Sequence, residues 1–355
     1  MTSKPSVKDS EGESHHQGGT PASVLDLSVP IDVDYGDEDS EYDAQSLLSS
    51  ASTSLESCVE HYRYEHGRRY HGYRDGSYPI PNDELEQNRL DMMHHIWRLM
   101  NDGPLFRAPI PPNPQRILDM GTGTGIWAIN AADEYPSAVV TGNDLSPIQP
   151  DWVPPNCRFY VEDLESVWDY EPHERFDLIH GRCLAGGIAD WDALYGQVYE
   201  SLKPGGWVEI QEVEGWVQSE DGTENRAPTV MEWQERINEA SDKFGKRYNI
   251  AAEQKQRMID AGFVDVKDDV FKVPIFPWPK NHRLKIIGKY YHEQLVDGIE
   301  AYSAELFSRV FSMTEVELQV WVAKVVDELT NSGAHLYVDF HFVYGRKPEE
   351  VEPLS

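Results

Sequence analysis

Arg116-Ile-Leu-Asp-Met-Gly-Thr-Gly-Thr-Gly125 decides the fold. A short apolar run reaches an acid, three glycines follow at alternate positions, and a helical stretch over 126–134 takes over. A strand that closes on a tight glycine turn and feeds a helix is the opening unit of a parallel α/β sheet. Working outward, strand-like runs recur at 116–120, 138–144, 158–161, 176–180 and 207–213. Helical stretches separate several of them, notably 126–134 and 190–202, the latter stopped by Pro204-Gly205-Gly206. Further helices are expected near 228–244, 250–261 and 279–295. Thr314 with Glu317 forms a capping box for a last helix ending near Gly333. Two more strands, about 263–273 and 336–344, should join the sheet. Upstream, Asn82 can cap a helix over 83–101, in which Leu90, Met93, Trp97 and Met100 recur at helical spacing. The expected fold is α/β: a doubly wound, mostly parallel seven-stranded Rossmann-like sheet with added N-terminal and C-terminal helices.

The glycine loop also narrows the ligand. Glycine lets the backbone turn tightly and lets a ligand approach the main chain. A dinucleotide site needs Gly-x-Gly-x-x-Gly, and here the sixth position is Ile126. No Gly-Lys-Ser/Thr follows, so a P-loop is excluded. Asp119 at the strand end would repel a pyrophosphate but can anchor the ammonium of an amino-acid moiety, directly or through water. With Gly121, Gly123 and Gly125 behind it, that charge logic fits S-adenosylmethionine. Asp144, at the end of the second strand with Leu145 beside it, is placed to accept from both ribose hydroxyls. Asp163, after the third strand, can accept from an exocyclic amine while Leu164 packs against the base.

Composition sets the outer limits. The 355 residues include 31 Lys+Arg against 62 Asp+Glu, a formal net charge of −31. Binding a duplex nucleic acid needs a basic face, and this chain has little surplus base to build one. The three cysteines, Cys58, Cys157 and Cys183, form neither a CxxC nor a zinc-spaced Cys/His set, which suggests reduced intracellular thiols. The adjacent His94 and His95 point to different helix faces, so they cannot share a metal; no metal is expected. No apolar run approaches the ~18 residues of a membrane span, and the first residues lack an apolar signal core. The expectation is an intracellular protein, cytoplasmic rather than nuclear, neither secreted nor membrane-bound. Residues 1–57 hold 12 acids against Lys4 and Lys8, with almost no aromatic residues, and read as a disordered acidic tail. Residues 58–110 read as an N-terminal lid segment and helix, 111–348 as the main domain with helical insertions, and 349–355 as a disordered end. Tyr62, Tyr64, Tyr70, Tyr73 and Tyr78 alternate in the lid segment with Arg63, Arg68, Arg69 and Arg74.

Several stretches carry a resemblance. Glu65-His-Gly-Arg-Arg-Tyr-His71 and Tyr78-Pro-Ile-Pro-Asn-Asp83 precede Arg89-Leu-Asp91 and the histidine pair. Then come Asp119–Trp127 (DMGTGTGIW), Asp144–Pro150 (DLSPIQP), Trp152-Val-Pro-Pro-Asn156, Ile179-His-Gly-Arg182 and Leu202-Lys-Pro-Gly-Gly-Trp207. Together they resemble the class I methyltransferases and, more narrowly, the fungal LaeA-like methyltransferases of secondary metabolism, over about residues 60–346. The resemblance implies S-adenosylmethionine as donor, held by Asp119, Gly121, Gly123, Gly125, Asp144 and Asp163. It also suggests that the segment before the sheet closes over the donor, with Tyr70 and Tyr78 as lid residues. Packing of these tyrosines against the sheet edge is the competing reading.

The methyl acceptor is not legible in these motifs. A sulfonium donor is already activated, so placement supplies much of the rate, and a base is needed only for a poorly ionised acceptor. His180 ends the fourth strand, at the edge where doubly wound sheets place their sites, and is the candidate catalytic base. A histidine simply bonded to backbone beside Arg182 is the alternative. Arg182 can orient an acidic acceptor or pair with a carboxylate, and Cys183 reads as a buried thiol. The strand ends Ile-His-Gly-Arg instead of Asn/Asp-Pro-Pro-Tyr, so nothing points to base-amine methylation. A small-molecule acceptor, methylated on O, N or C in a fungal biosynthetic pathway, is the favoured expectation. The resemblance leaves a second: a LaeA-like nuclear regulator acting through protein partners.

Overall fold

A computed structural model describes residues 62–349. The tail drawn at 1–57 lies outside the described residues, as does all but Glu349 of the end drawn at 349–355. A two-stranded hairpin opens the described chain, β1 (Arg63–Glu65) against β2 (Arg68–Tyr70). His66 and Gly67 turn it at φ 51° and 72°, the pair of positive values a tight hairpin requires. Helix α1 (Glu84–Met100) follows, then β3 (Arg116–Met120), α2 (Ile126–Glu134), β4 (Val139–Asp144) and β5 (Cys157–Val161). The chain continues through β6 (Phe176–Arg182), α3 (Trp191–Ser201), β7 (Leu202–Val213), α4 (Pro228–Phe244) and α5 (Gln254–Asp260). It closes with β8 (Val264–Pro274), α6 (His282–Phe311), α7 (Glu315–Asn331) and β9 (Tyr337–Arg346).

Seven strands form one sheet in the order β5-β4-β3-β6-β7-β9-β8. The pairs β3–β4, β4–β5, β3–β6 and β6–β7 are parallel, and only β9 runs against its neighbours. The sheet is the doubly wound, mostly parallel one expected. The chain builds to one side of β3 through β4 and β5, then returns to its other side with β6. That reversal opens a crevice at the carboxyl ends of β3 and β6, where such sheets bind ligands. One apolar cluster, around Ile117, Trp127, Val140 and Leu178, packs α2 onto the sheet. Another, around Leu118, Ile179, Leu194 and Val208, packs α3. The third gathers α1, α4, α6 and α7 over the ends of β8 and β9. Trp97 of α1 anchors it, its ring centroid 4.4 Å from Phe340 and 5.0 Å from Phe342.

Four local expectations need correction. Asp83, not Asn82, caps α1, accepting from the Glu86 N–H at 3.1 Å. Asn82 instead donates to Ser146 Oγ, 3.1 Å away, and ties the lid segment to the loop after β4. Pro204-Gly205-Gly206 does not separate helix from strand: α3 ends at Ser201 and β7 begins at once, absorbing the sequence in a register irregularity against β6. The stretch at 250–261 splits into a 3-10 turn (Ala251–Glu253) and α5. The helix expected at 279–295 starts at His282 but runs for 30 residues, to Phe311. Gly298 sits mid-helix where a side chain would press on Tyr302 and Arg89, so what looks like a breaker is a close-packing position.

Candidate functional site

The loop after β3 turns on three glycines with φ 60°, 58° and 80°, at Gly121, Gly123 and Gly125. Gly125 shows why: a Cβ there would lie 2.5 Å from the Phe159 ring of β5. The loop is held from the second strand. Asp144 Oδ2 accepts from the Gly123 N–H at 2.9 Å, and its Oδ1 accepts from the Ser146 N–H at 2.9 Å. Burial raises the Asp144 pKa, and these two bonds oppose that shift. A carboxylate has about four acceptor positions, so room remains for ligand hydroxyls. Asp144→Ala therefore removes both a candidate ribose acceptor and the pin on the loop. Calorimetry should find it ~10–100-fold weaker for S-adenosylmethionine, following ~1.4 kcal/mol per decade. Normal binding by both Asp144→Ala and Asp144→Asn would rule out this placement.

Asp119 lies beneath the loop. Parallel register sets it opposite His180, and its Oδ1 lies 2.7 Å from His180 Nδ1. Its Oδ2 accepts from the Thr122 hydroxyl at 2.6 Å. The His180 ring stacks on Trp127 at 3.8 Å between centroids and is fully buried. Burial lowers its pKa more than Asp119 raises it, so the ring is neutral with its Nδ1 hydrogen directed at Asp119. His180 also lines the cavity at the glycine loop, and its bond to Asp119 orients that carboxylate and the loop. His180→Phe leaves that carboxylate one donor short, a cost of ~1–3 kcal/mol. Thermal unfolding of the variant should show the loss.

The remaining expected contacts divide. Asp144, Leu145, Asp163, Leu164 and Tyr78 line one cavity of about 80 Å³, closed from the far side by Ile188. Asp163 is not free in it, since Arg74 of the lid segment pairs with its Oδ2 at 3.2 Å. Asp119, Gly121, Gly123 and Arg182 line a second, of about 60 Å³, roofed by Leu90 and Met93 of α1. Gly121 and Cys183 line both, so the two adjoin as a groove along the carboxyl ends of β3, β4 and β5. Tyr70 takes no part. It is fully buried with the Arg63 guanidinium 4.8 Å over its ring, which makes it packing for the hairpin and corrects the lid expectation for that residue.

A third cavity, about 140 Å³ and mainly apolar, opens beside this groove. Trp233, Ile237, Tyr248, Tyr291, Tyr302 and Leu295 are among the residues of its wall. Tyr78 lines both it and the first cavity, and Cys183 borders all three cavities. Cys183 has φ 53°, with its N–H bonded to the Gln211 carbonyl at 2.9 Å. Burial, reinforced by Glu212, pushes its thiol up to about 12, so it stays protonated and is no nucleophile. Sequence reasoning missed Glu212, a buried carboxyl in this wall, because nothing local marks which strand glutamates face a cavity. It also missed the buried pair of Arg89 with Glu86, 2.6 Å between Nη2 and Oε1, from which Arg89 reaches Gln294 at 2.9 Å. Among the described residues, no helix is long and apolar enough to cross a membrane.

Comparison with known proteins agrees with this geometry. A family model described as "Methyltransferase domain" matches residues 92–266. Methyltransferase pytC of Aspergillus terreus is 44% identical over 310 residues, covering 86% of this chain and 94% of that protein. The secondary metabolism regulator LAE1 of Cochliobolus heterostrophus is 37% identical, over 81% of this chain and 95% of its own length. The secondary metabolism regulator laeA of Aspergillus fumigatus is 36% identical, over 80% of this chain and 76% of its own.

Proposed function

The chain belongs to the LaeA-like class I S-adenosylmethionine-dependent methyltransferases, and from that premise we propose that it methylates a small, largely apolar metabolite held in the tyrosine-lined cavity. One observation carries this reading: the donor groove and the third cavity meet at Cys183. A methyl group leaving the groove there has a mainly apolar chamber directly before it. In the groove, Asp144 and Asp163 would hold the adenosine end, and Gly121, Gly123 and Asp119 the amino-acid end. When bound, the donor supplies an activated methyl group. The chain's own work is then placement and water exclusion.

A fungal biosynthetic step is the setting the similarity to pytC favours. The similarity to the two regulators favours a second reading, in which the chain acts in the nucleus through protein partners. We prefer a cytoplasmic enzyme, since a chamber walled by buried aromatic side chains suits a small molecule better than a protein side chain on its backbone. Methyl-tritiated S-adenosylmethionine offered with a panel of hydroxylated aromatic and alicyclic compounds tests this. Label should pass to some panel members. A tagged chain that labels none and instead purifies with a stoichiometric protein partner would support the regulator.

A further inference from the structure

Two glutamates of β7 are buried without a basic partner at full contact, and their surroundings differ. Glu209 is saturated: one oxygen accepts from the Arg107 and Ala108 N–H groups at 2.7 Å each, and the other accepts from Gln211 at 2.8 Å. Glu212 is half used. Its Oε1 accepts from the Leu184 N–H at 2.7 Å and the Ala185 N–H at 3.1 Å. Its Oε2 has no hydrogen-bond partner among the described residues, although the residue is 1% exposed and lines the third cavity. The two backbone bonds come from the residues that follow Cys183, so they fix the carboxyl beside the point where donor groove and acceptor cavity meet. That oxygen opens onto the cavity and can accept a hydrogen from whatever fills it.

We propose that Glu212 is the proton acceptor of the reaction and that the acceptor substrate is a neutral aromatic or enolic hydroxyl compound. The proposal rests on the methyltransferase reading of the same cavity. As the acceptor oxygen takes the methyl group, the C–S bond breaks with its electron pair left on sulfur, and the O–H proton passes to Glu212 Oε2. The products are a methyl ether, a thioether and a protonated carboxyl that returns its proton to solvent. Burial raises this carboxyl to about 8, against the pull of its two backbone bonds, so it holds a proton at neutral pH and becomes the ionised proton acceptor as the pH rises past that value. The walls agree with a flat, uncharged guest. Arg89, the cation bordering the cavity, is already committed to Glu86 and Gln294.

Glu212→Gln tests this, because its amide oxygen can keep both backbone bonds while its nitrogen replaces Oε2. At about pH 8.5, where the Glu212 carboxyl is mainly ionised, the probes are 2-naphthol, still mainly neutral, and pentafluorophenol, fully ionised. Wild type should methylate both. The variant should lose ~10²–10⁴-fold with 2-naphthol, the range of a general base, and little with pentafluorophenol. Wild-type methylation of 2-naphthol should rise as the pH passes through about 8, and that rise should be missing in the variant. Equal turnover of 2-naphthol by both proteins, equal losses on both phenols, or no methylation of 2-naphthol by wild type would each overturn the assignment. Calorimetry with S-adenosylmethionine separates the two layers: unaltered donor binding in both proteins is expected, and a wild type that binds no donor fails the underlying reading instead.

Discussion

Gly123→Val should abolish measurable S-adenosylmethionine binding, a loss of at least ~100-fold or ~2.7 kcal/mol. Gly123 has φ 58°, a left-handed conformation that costs a β-branched residue ~1–3 kcal/mol wherever it is imposed. Its N–H is committed to Asp144 and its carbonyl accepts from Gln149 Nε2 at 2.7 Å, so the backbone cannot relax without releasing both. A Cβ there would sit 3.3 Å from Leu90 Cδ1, and the valine methyl groups would extend into the narrow space between loop and α1. That space is the proposed amino-acid end of the donor groove. Strain and occlusion therefore act together. Calorimetric titration checks the result, with thermal unfolding to confirm that the variant is folded. Donor affinity equal to wild type would remove the glycine loop from the site.

Arg89→Ala should destabilise the fold by ~3–5 kcal/mol, the expected effect of leaving one member of a buried ion pair alone. Glu86 and Arg89 are 2% and 5% exposed, one turn apart on α1. The guanidinium meets both Glu86 oxygens, at 2.8 and 2.6 Å, bonds Gln294 of α6, and lies 5.0 Å over the Tyr302 ring. Its removal strands a carboxylate in the apolar helical layer and opens a gap beside the acceptor cavity. Replacing both partners, as Glu86→Leu with Arg89→Met, should recover most of the loss because no lone charge is then buried. Denaturant unfolding of the two variants beside wild type gives the comparison. Equal losses in the single and double variants would show that packing, not the unpaired charge, governs this position.

The two predictions draw on information of different kinds. The glycine loop, Asp144 and Asp163 stand in a local order that a strand, a turn and a helix impose on any sequence that forms them. Their spacing along the chain therefore disclosed the donor's identity and the sheet, and helices 126–134 and 228–244 were legible to the residue from apolar periodicity, glycine and proline. The capping box of Thr314 and Glu317 was equally local, and it caps α7 as expected. Other features depend on which strands become neighbours. His180 carries the same ring chemistry whether it faces a substrate or a carboxylate. Only the parallel register of β3 with β6, which puts it opposite Asp119 from 61 positions away, made it a support for the loop. Arg89 and Gln294 stand 205 positions apart and meet because α1 packs on a 30-residue α6. Glu209 and Glu212 read alike as letters on one strand. Tertiary structure alone closed one with three hydrogen bonds and left the other with an open oxygen at the cavity, because a charge's solvation is set by everything folded around it and not by its neighbours in sequence.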